Sequence, residues 1–242
     1  MLEVLSDTST RKNSILAALP ADDYERIALS LTPISFELGQ VLYEPDEQIH
    51  QVYFPITTIT SLITILEDGS TVEAGIIGYT GMVGIPVVLG AESSPSRAVT
   101  QHSGDALMMP VAALKDELRR SGGKLQELLL LFTHTLFTQV SQTAACNRLH
   151  TVEERLARWL LMIHDRTQED EFMLTQEFIA TMLGSRRAGV TVAAGALATA
   201  GLIRYKRGHI GIVDREGLED AACECYKNVG GGSRIATDFQ AL

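Results

Sequence analysis

Residues 174–187 read Leu-Thr-Gln-Glu-Phe-Ile-Ala-Thr-Met-Leu-Gly-Ser-Arg-Arg, and residues 188–201 continue Ala-Gly-Val-Thr-Val-Ala-Ala-Gly-Ala-Leu-Ala-Thr-Ala-Gly. Thr175 is placed to cap a helix whose apolar residues are Phe178, Ile179, Met182 and Leu183, with Glu177 favourably set in its first turn. Gly184 ends that helix. Ser185 is placed to cap a second one, with Val190, Ala194 and Leu197 on its apolar side and Gly201 beyond its end. A helix, a glycine-centred turn and a second helix are the pattern of a helix-turn-helix. Two short strand-like runs, Leu202-Ile203 and Ile210-Gly211-Ile212-Val213, then flank the basic stretch 204–209, predicting a hairpin wing.

The charge distribution supports this reading. The 242-residue chain carries a formal net charge of −10, which by itself argues against a nucleic-acid partner. Yet residues 178–213 contain no Asp or Glu, while Arg186, Arg187, Arg204, Lys206 and Arg207 all fall there. A local basic patch attracts phosphate within about one Debye length, roughly 8 to 10 Å, whatever the charge elsewhere. Arg186 and Arg187 open the second helix at the positive end of its macrodipole, costing a few tenths to about 1 kcal/mol each. An anionic phosphate or the O6 and N7 acceptors of guanine would offset that cost, because guanidinium pairs with both in bidentate fashion. Arg187 is therefore expected to contact a base, Arg186 a base or phosphate, and Thr191, one turn on, to act as a supporting donor. Lys206 and Arg207 on the wing are expected to hold backbone phosphate. Thr175 and Ser185 complete the candidate double-stranded DNA-binding set.

Working outward, residues 124–165 contain neither Gly nor Pro and predict one long helix, with a break near 147–151. Leu125, Leu129, Phe132 and Leu136 repeat at spacings of 4, 3 and 4, the seam of a coiled coil, and are expected to form a homodimer interface, the alternative being that the stripe packs on the chain's own β domain. Between residues 34 and 109 the pattern changes to short β-branched runs at 52–54, 59–66 and 83–89, punctuated by turn signals, which predicts an all-β roll or barrel. Two short helices at 14–31 precede it, separated at Pro20. The expected organisation is a sensor-like β unit with N-terminal helices over 1–121, a long helix and hinge over 122–166, and a winged helix-turn-helix over 167–228. The glycine-rich stretch 229–242 reads as a flexible tail.

The N-terminus lacks a signal-peptide pattern and no apolar run reaches the roughly 18 residues needed to span a membrane, so a cytoplasmic location is expected. Cys146, Cys223 and Cys225 are sparse and odd in number; they argue against a disulfide framework and read as free thiols of undetermined role. Cys223 and Cys225 lie too close together for a standard zinc pair without further ligands, so no metal site is expected. His134, His150 and His164 on the long helix read as solvated or packed. No catalytic set of paired carboxylates, activated nucleophile or metal cluster can be nominated, which points away from an enzyme.

With 174–187, Gly201-Leu202-Ile203, Arg207-Gly208-His209-Ile210 and Asp214-Arg215 in view, the chain resembles the Crp/Fnr family of bacterial transcriptional regulators. The resemblance implies an α+β architecture: an N-terminal cyclic-nucleotide-binding-type β-roll, a long dimerisation helix and a C-terminal winged helix-turn-helix. It further implies a homodimer bound to duplex DNA, with RNA polymerase as a partner. Arg187 falls at the family's base-contacting arginine. The usual glutamate that follows is Ala188, and a second base-contacting arginine is Val192, so an altered half-site is expected.

In the sensor loop the family's Gly-Glu and Arg-Ser pairs correspond to Gly84-Ile85 and Arg97-Ala98. Gly84 and Arg97 remain as candidate effector-binding residues, but loss of the ribose-binding glutamate disfavours cyclic AMP. The cysteine cluster of the iron-sulfur branch is missing, and haem has no support. Either an unknown effector occupies the roll, or the protein works without one or responds to redox state.

Overall fold

The computed structural model describes residues 12–120, 123–167 and 169–229. Most of the expected tail, residues 230–242, lies outside the described residues. The described residues form two compact units, one within residues 12–62 and 76–136, the other within residues 63–75 and 137–229.

The first unit opens with α1 (Ser14–Ala17) and α2 (Ala21–Ala28), parted at Pro20, which caps α2 and cannot continue α1. The buried Asn13 accepts from the Ile15 and Leu16 amides at the start of α1. Its amide nitrogen donates to the carbonyls of Pro55 (3.0 Å) and Gly81 (2.9 Å), so one side chain satisfies both a helix start and two loop carbonyls.

The strands are β1 (Thr32–Phe36), β2 (Val41–Tyr43), β3 (Gln51–Pro55), β4 (Ile59–Ile65), β5 (Thr71–Ile77), β6 (Arg97–His102) and β7 (Gly104–Pro110). They form a three-stranded sheet of order β1-β7-β3 and a four-stranded sheet of order β2-β6-β4-β5, the roll expected from the short alternating runs. The antiparallel β3–β7 register pairs Val52 with Met109 and Phe54 with Leu107, all four buried. One predicted strand is replaced: over 83–89 the chain makes only a bridge at Val83 and then the single turn α3 (Ile85–Val88). Pro86, which lacks the ladder N–H a strand would need, fits the first turn of a helix. Helix α4 (Val111–Arg119) follows β7.

Helix α5 (Lys124–Leu149) is continuous over 26 residues, and α6 (Val152–Thr167) follows after His150-Thr151. The break has a local cause. Thr151 Oγ1 accepts from the Glu154 amide (3.3 Å), and Glu154 Oε2 accepts from the Thr151 amide (2.8 Å), a capping box that starts a new helix.

The seam assignment requires correction. Leu125, Leu129, Phe132 and Leu136 are all buried in the core of the chain's own first unit, beside Leu128, Ile77, Val83 and Met82. Phe132 lies so close to Gly81 that a Cβ there would clash with its ring. The spacing that resembles a coiled-coil stripe is met by the roll, which leaves these side chains unavailable to a second subunit. The same helix exposes Leu130 (47%) and Phe137 (70%), seven residues apart and hence on one face.

In the second unit α6 is buried along nearly its whole circumference, from Leu156 to Ile163. It runs to Thr167, and Arg166 in its last turn is buried with Nη1 donating to Met162 O (2.7 Å). Trp159 Nε1 donates to the buried carboxylate of Glu73 (2.9 Å). Beyond it come β8 (Glu171–Met173), α7 (Gln176–Leu183), α8 (Arg187–Thr199), β9 (Ile203–Lys206), β10 (His209–Ile212), α9 (Arg215–Ala221) and α10 (Cys225–Val229). The three strands pair antiparallel in the order β8-β10-β9. Among the described residues no helix is long and apolar enough to cross a membrane.

Candidate nucleic-acid interface

Thr175 caps α7 as its sequence position predicts, accepting from the Phe178 amide at 3.1 Å. The helix stops because Gly184 adopts φ +55, a left-handed conformation that L side chains rarely take. A Cβ there would also meet Val72 Cγ2 at 2.9 Å, so the position excludes a side chain on two grounds. Ser185 does not cap the next helix. Its amide bonds back to Ala180 O (3.0 Å), Arg186 occupies the N-cap without a side-chain capping bond, and the Ser185 hydroxyl is shielded from solvent. Ser185 is therefore corrected from a DNA contact to part of the turn, the left-handed Gly184 having turned its side chain inward.

Helix α8 buries Val190, Ala193, Ala194 and Leu197 and exposes Arg187, Ala188, Thr191, Val192, Gly195 and Thr199. Arg186 and Arg187 are exposed at its N-terminal end, and no carboxylate lies within ion-pair distance of either among the described residues. Thr191 is engaged: its hydroxyl donates to Gln176 Oε1 at 2.8 Å, with Arg187 O at 3.1 Å as a second acceptor. This bond identifies Gln176, at the first position of α7, as a member of the exposed polar face. Its place directly after the capping residue was the available signal.

The wing turns through Arg207 (φ +51) and Gly208 (φ +82), with Lys206 paired to His209, the geometry of a two-residue type I′ hairpin. Lys206 and Arg207 are exposed at its tip. Arg204 faces away from this role and pairs with Glu171 across the sheet at 3.1 Å. Tyr205 ties wing to helix pair: its hydroxyl donates to Leu174 O at 3.4 Å, burial raises its pKa, and the positive charge of Arg187 partly opposes that rise.

In the first unit, Arg97 Nε is ion-paired with Glu44 Oε2 at 2.8 Å at the surface. Gly84 lines a cavity of about 270 Å³ with Tyr43, Leu62, Ile77, Ile85 and Leu136, in which Arg97 takes no part. Burial pushes the Tyr43 hydroxyl up to about 12. The two candidate effector residues are thus not brought to one polar site.

The cysteines are brought together, which their sequence spacing did not foretell. Cys146 near the end of α5, His150 after it, Cys223 and Cys225 place their ligand atoms all within 4.8 Å of one another. All three thiols are free and buried. The fold thus supplies Cys146 and His150, the two further ligands that the Cys223-Cys225 pair lacked, and the expectation of no metal site gives way to a four-residue candidate. The Cys146 thiol is held well below the ordinary thiol range, first by its hydrogen bond with Cys223, and further by the charge of Arg158 and by His150.

The Crp-like helix-turn-helix domain matches residues 154–221. No curated protein matches the chain. Among solved structures, a transcriptional regulator of the Crp/Fnr family from Eubacterium rectale superposes with a TM-score of 0.68 at 17% identity, covering 86% of this chain and 96% of that one. FixK2 from Bradyrhizobium japonicum gives 0.67 at 18% identity, covering 80% and 98%. The c-di-GMP responsive global regulator CLP of Xanthomonas campestris gives 0.64 at 14% identity, covering 80% and 99%. Helix, left-handed glycine turn, cationic second helix and I′ wing are therefore the parts of a Crp-like helix-turn-helix domain, carried by a chain with the overall fold of the Crp/Fnr transcriptional regulators.

Proposed function

We propose that this protein is a homodimeric, sequence-specific regulator of transcription, without enzymatic activity, that reads duplex DNA with the N-terminal end of α8 and clamps it with the β9–β10 wing. The carrying observation is the pair of exposed guanidinium groups of Arg186 and Arg187 at the positive end of α8, with no carboxylate partner among the described residues. Arg187 takes a guanine edge, Arg186 a phosphate or base, and Lys206 and Arg207 hold backbone phosphate. Gln176 joins this set through Thr191, and the Thr175 end of α7 offers backbone amides to phosphate. The exposed Ala188 and Val192 favour apolar contact with thymine methyl groups.

The homodimer forms through the outward face of α5 bearing Leu130 and Phe137, and the cytoplasm and RNA polymerase are the setting and partner that go with this function. Cyclic AMP is disfavoured as the effector: Arg97 is ion-paired with Glu44 and takes no part in lining the mostly apolar cavity beside Gly84. These features favour regulation without a cyclic nucleotide. Binding-site selection from random duplexes followed by titration of the selected site tests the reading. Arg187→Ala is expected to weaken the selected site by about 1–3 kcal/mol and to relax preference at one base pair in each half-site. Unchanged affinity and preference would overturn the role of α8.

A further inference from the structure

We infer that Cys146, His150, Cys223 and Cys225 form a tetrahedral zinc site that fastens the end of the winged-helix domain to the junction between α5 and α6. The inference does not rest on DNA binding, and it can stand or fall separately.

With Zn–S near 2.3 Å and Zn–N near 2.0 Å, a regular tetrahedron has S···S edges of about 3.8 Å and S···N edges of about 3.5 Å. Cys146 Sγ and Cys223 Sγ are 3.5 Å apart, Cys225 Sγ and His150 Nδ1 are 3.5 Å apart, and no pair of ligand atoms exceeds 4.8 Å. The two 3.5 Å contacts are close to those edges, and the wider pairs would have to contract for one zinc ion to be held by all four atoms. Three thiolates and one imidazole are also a soft donor set that selects zinc over the hard cations.

The surroundings are those of a metal site. His150 directs Nδ1 toward Cys225 and places Nε2 3.2 Å from Glu224 Oε2, the arrangement in which a carboxylate fixes the tautomer of a ligating histidine. Gln142 Nε2 lies 3.0 Å from Cys225 Sγ and is placed to donate to a thiolate. Three thiolates with Zn²⁺ leave one net negative charge. Arg155 and Arg158, both buried and both within electrostatic reach of Cys146, supply the countercharge, and the Nε–H of each lacks a hydrogen-bond partner among the described residues. Buried cations of this kind require a nearby anion.

The packing fixes the ligands before metal arrives. Arg215 Nη2 donates to Asp165 Oδ1 (2.7 Å) and to the Tyr226 hydroxyl (2.9 Å), which itself donates to Asp165 Oδ2 (3.0 Å), anchoring α10 on α6 right beside Cys225. Residues distant in sequence are thus brought to one point by a network that involves no sulfur.

The test uses the full-length protein purified under reducing conditions. Elemental analysis is expected to find about one zinc per chain, and replacement by Co²⁺ to give the visible absorption of a tetrahedral thiolate site. Cys223→Ser and His150→Ala are each expected to lower zinc affinity at least about 10-fold. Because a cysteine variant can lose its fold, alkylation of the wild-type protein supplies an independent reading: zinc is expected to protect all three cysteines together, and chelation to release them together. A reduced protein that neither retains nor takes up zinc, alkylation indifferent to zinc, a Cys146–Cys223 disulfide in the protein as isolated, or iron with acid-labile sulfide in place of zinc would each overturn the inference.

Discussion

Thr191 on α8 donates its hydroxyl to Gln176 Oε1 on α7 at 2.8 Å. The bond joins α7 and α8 on their exposed side and engages the oxygen of the Gln176 amide, so that in the proposed complex the NH₂ group can donate to DNA. Gln176→Ala is expected to weaken specific DNA binding by about 1–3 kcal/mol if the amide reads a base, and Thr191→Val to weaken it less. The two effects should not add, since either change removes the same positioning bond. Titration of the selected operator with both single variants and the double variant checks this. Strict additivity would assign the two residues independent roles.

At the wing tip Arg207 holds φ +51 without being glycine, a conformation that costs L residues roughly 1–2 kcal/mol. A residue kept there against its own backbone preference points to a use for its side chain. Arg207→Gly is expected to unfold at the same or a higher denaturant concentration than wild type, while binding DNA more weakly across all sequences. The slope of log K against log salt should fall by about 1 for each phosphate that the variant no longer neutralises. A variant that is less stable, or whose salt slope is unchanged, would contradict the assignment.

The elements most legible in the sequence were those whose boundaries are set by neighbours along the chain. Thr175, Gly184 and the Gly208 turn announce α7 and the wing because capping and positive φ are local properties. Ser185 misled because a second cap lay one residue further on, with the hydroxyl turned inward by a backbone geometry that residue type alone does not encode. The 83–89 run misled because its apolar character is shared by a strand and by a buried turn, and only Pro86 hinted at the difference. The cysteine cluster was invisible because its members, residues 146, 150, 223 and 225, meet only after the C-terminal unit has folded.

The stripe on α5 shows the same limit and can be tested directly. Spacing reveals that Leu125, Leu129, Phe132 and Leu136 share a face, but not what covers it. Since the chain's own roll does, Leu129→Ala is expected to destabilise the folded protein by about 2–5 kcal/mol in denaturant titrations. Phe137→Glu, on the exposed face, is expected to leave that stability nearly unchanged and to convert dimer to monomer in sedimentation velocity. If instead Leu129→Ala dissociates a folded protein, the seam belongs to the partner after all.

The capping box at the α5–α6 junction carries a pH signature. Hydrogen bonds from the Thr151 amide and hydroxyl hold the Glu154 carboxyl below the usual glutamate range. A carboxyl depressed in the folded state contributes stability that is fully present above its unfolded pKa, near 4.3, and is lost as pH falls through the lower folded value. Wild type is therefore expected to unfold at a higher denaturant midpoint than Glu154→Gln at pH 7, with the gap narrowing below about pH 4. A gap that is constant down to pH 3 would mean that the bond geometry, and not the charge, does the stabilising.

Trp159 is the only tryptophan of the chain, and its indole N–H donates to the buried Glu73 carboxylate at 2.9 Å. Its emission therefore reports on the packing around Trp159 and Glu73. Glu73→Leu leaves the indole N–H without its acceptor inside a packed core, at a cost of about 1–3 kcal/mol. Glu73→Gln keeps an acceptor oxygen in place and is expected to cost less. Urea titrations followed by Trp159 fluorescence should order the three proteins as wild type, Glu73→Gln and Glu73→Leu by decreasing midpoint. Should Glu73→Leu match or exceed wild type, burial of the carboxylate costs more than its hydrogen bond returns, as apolar replacements of buried charges sometimes show.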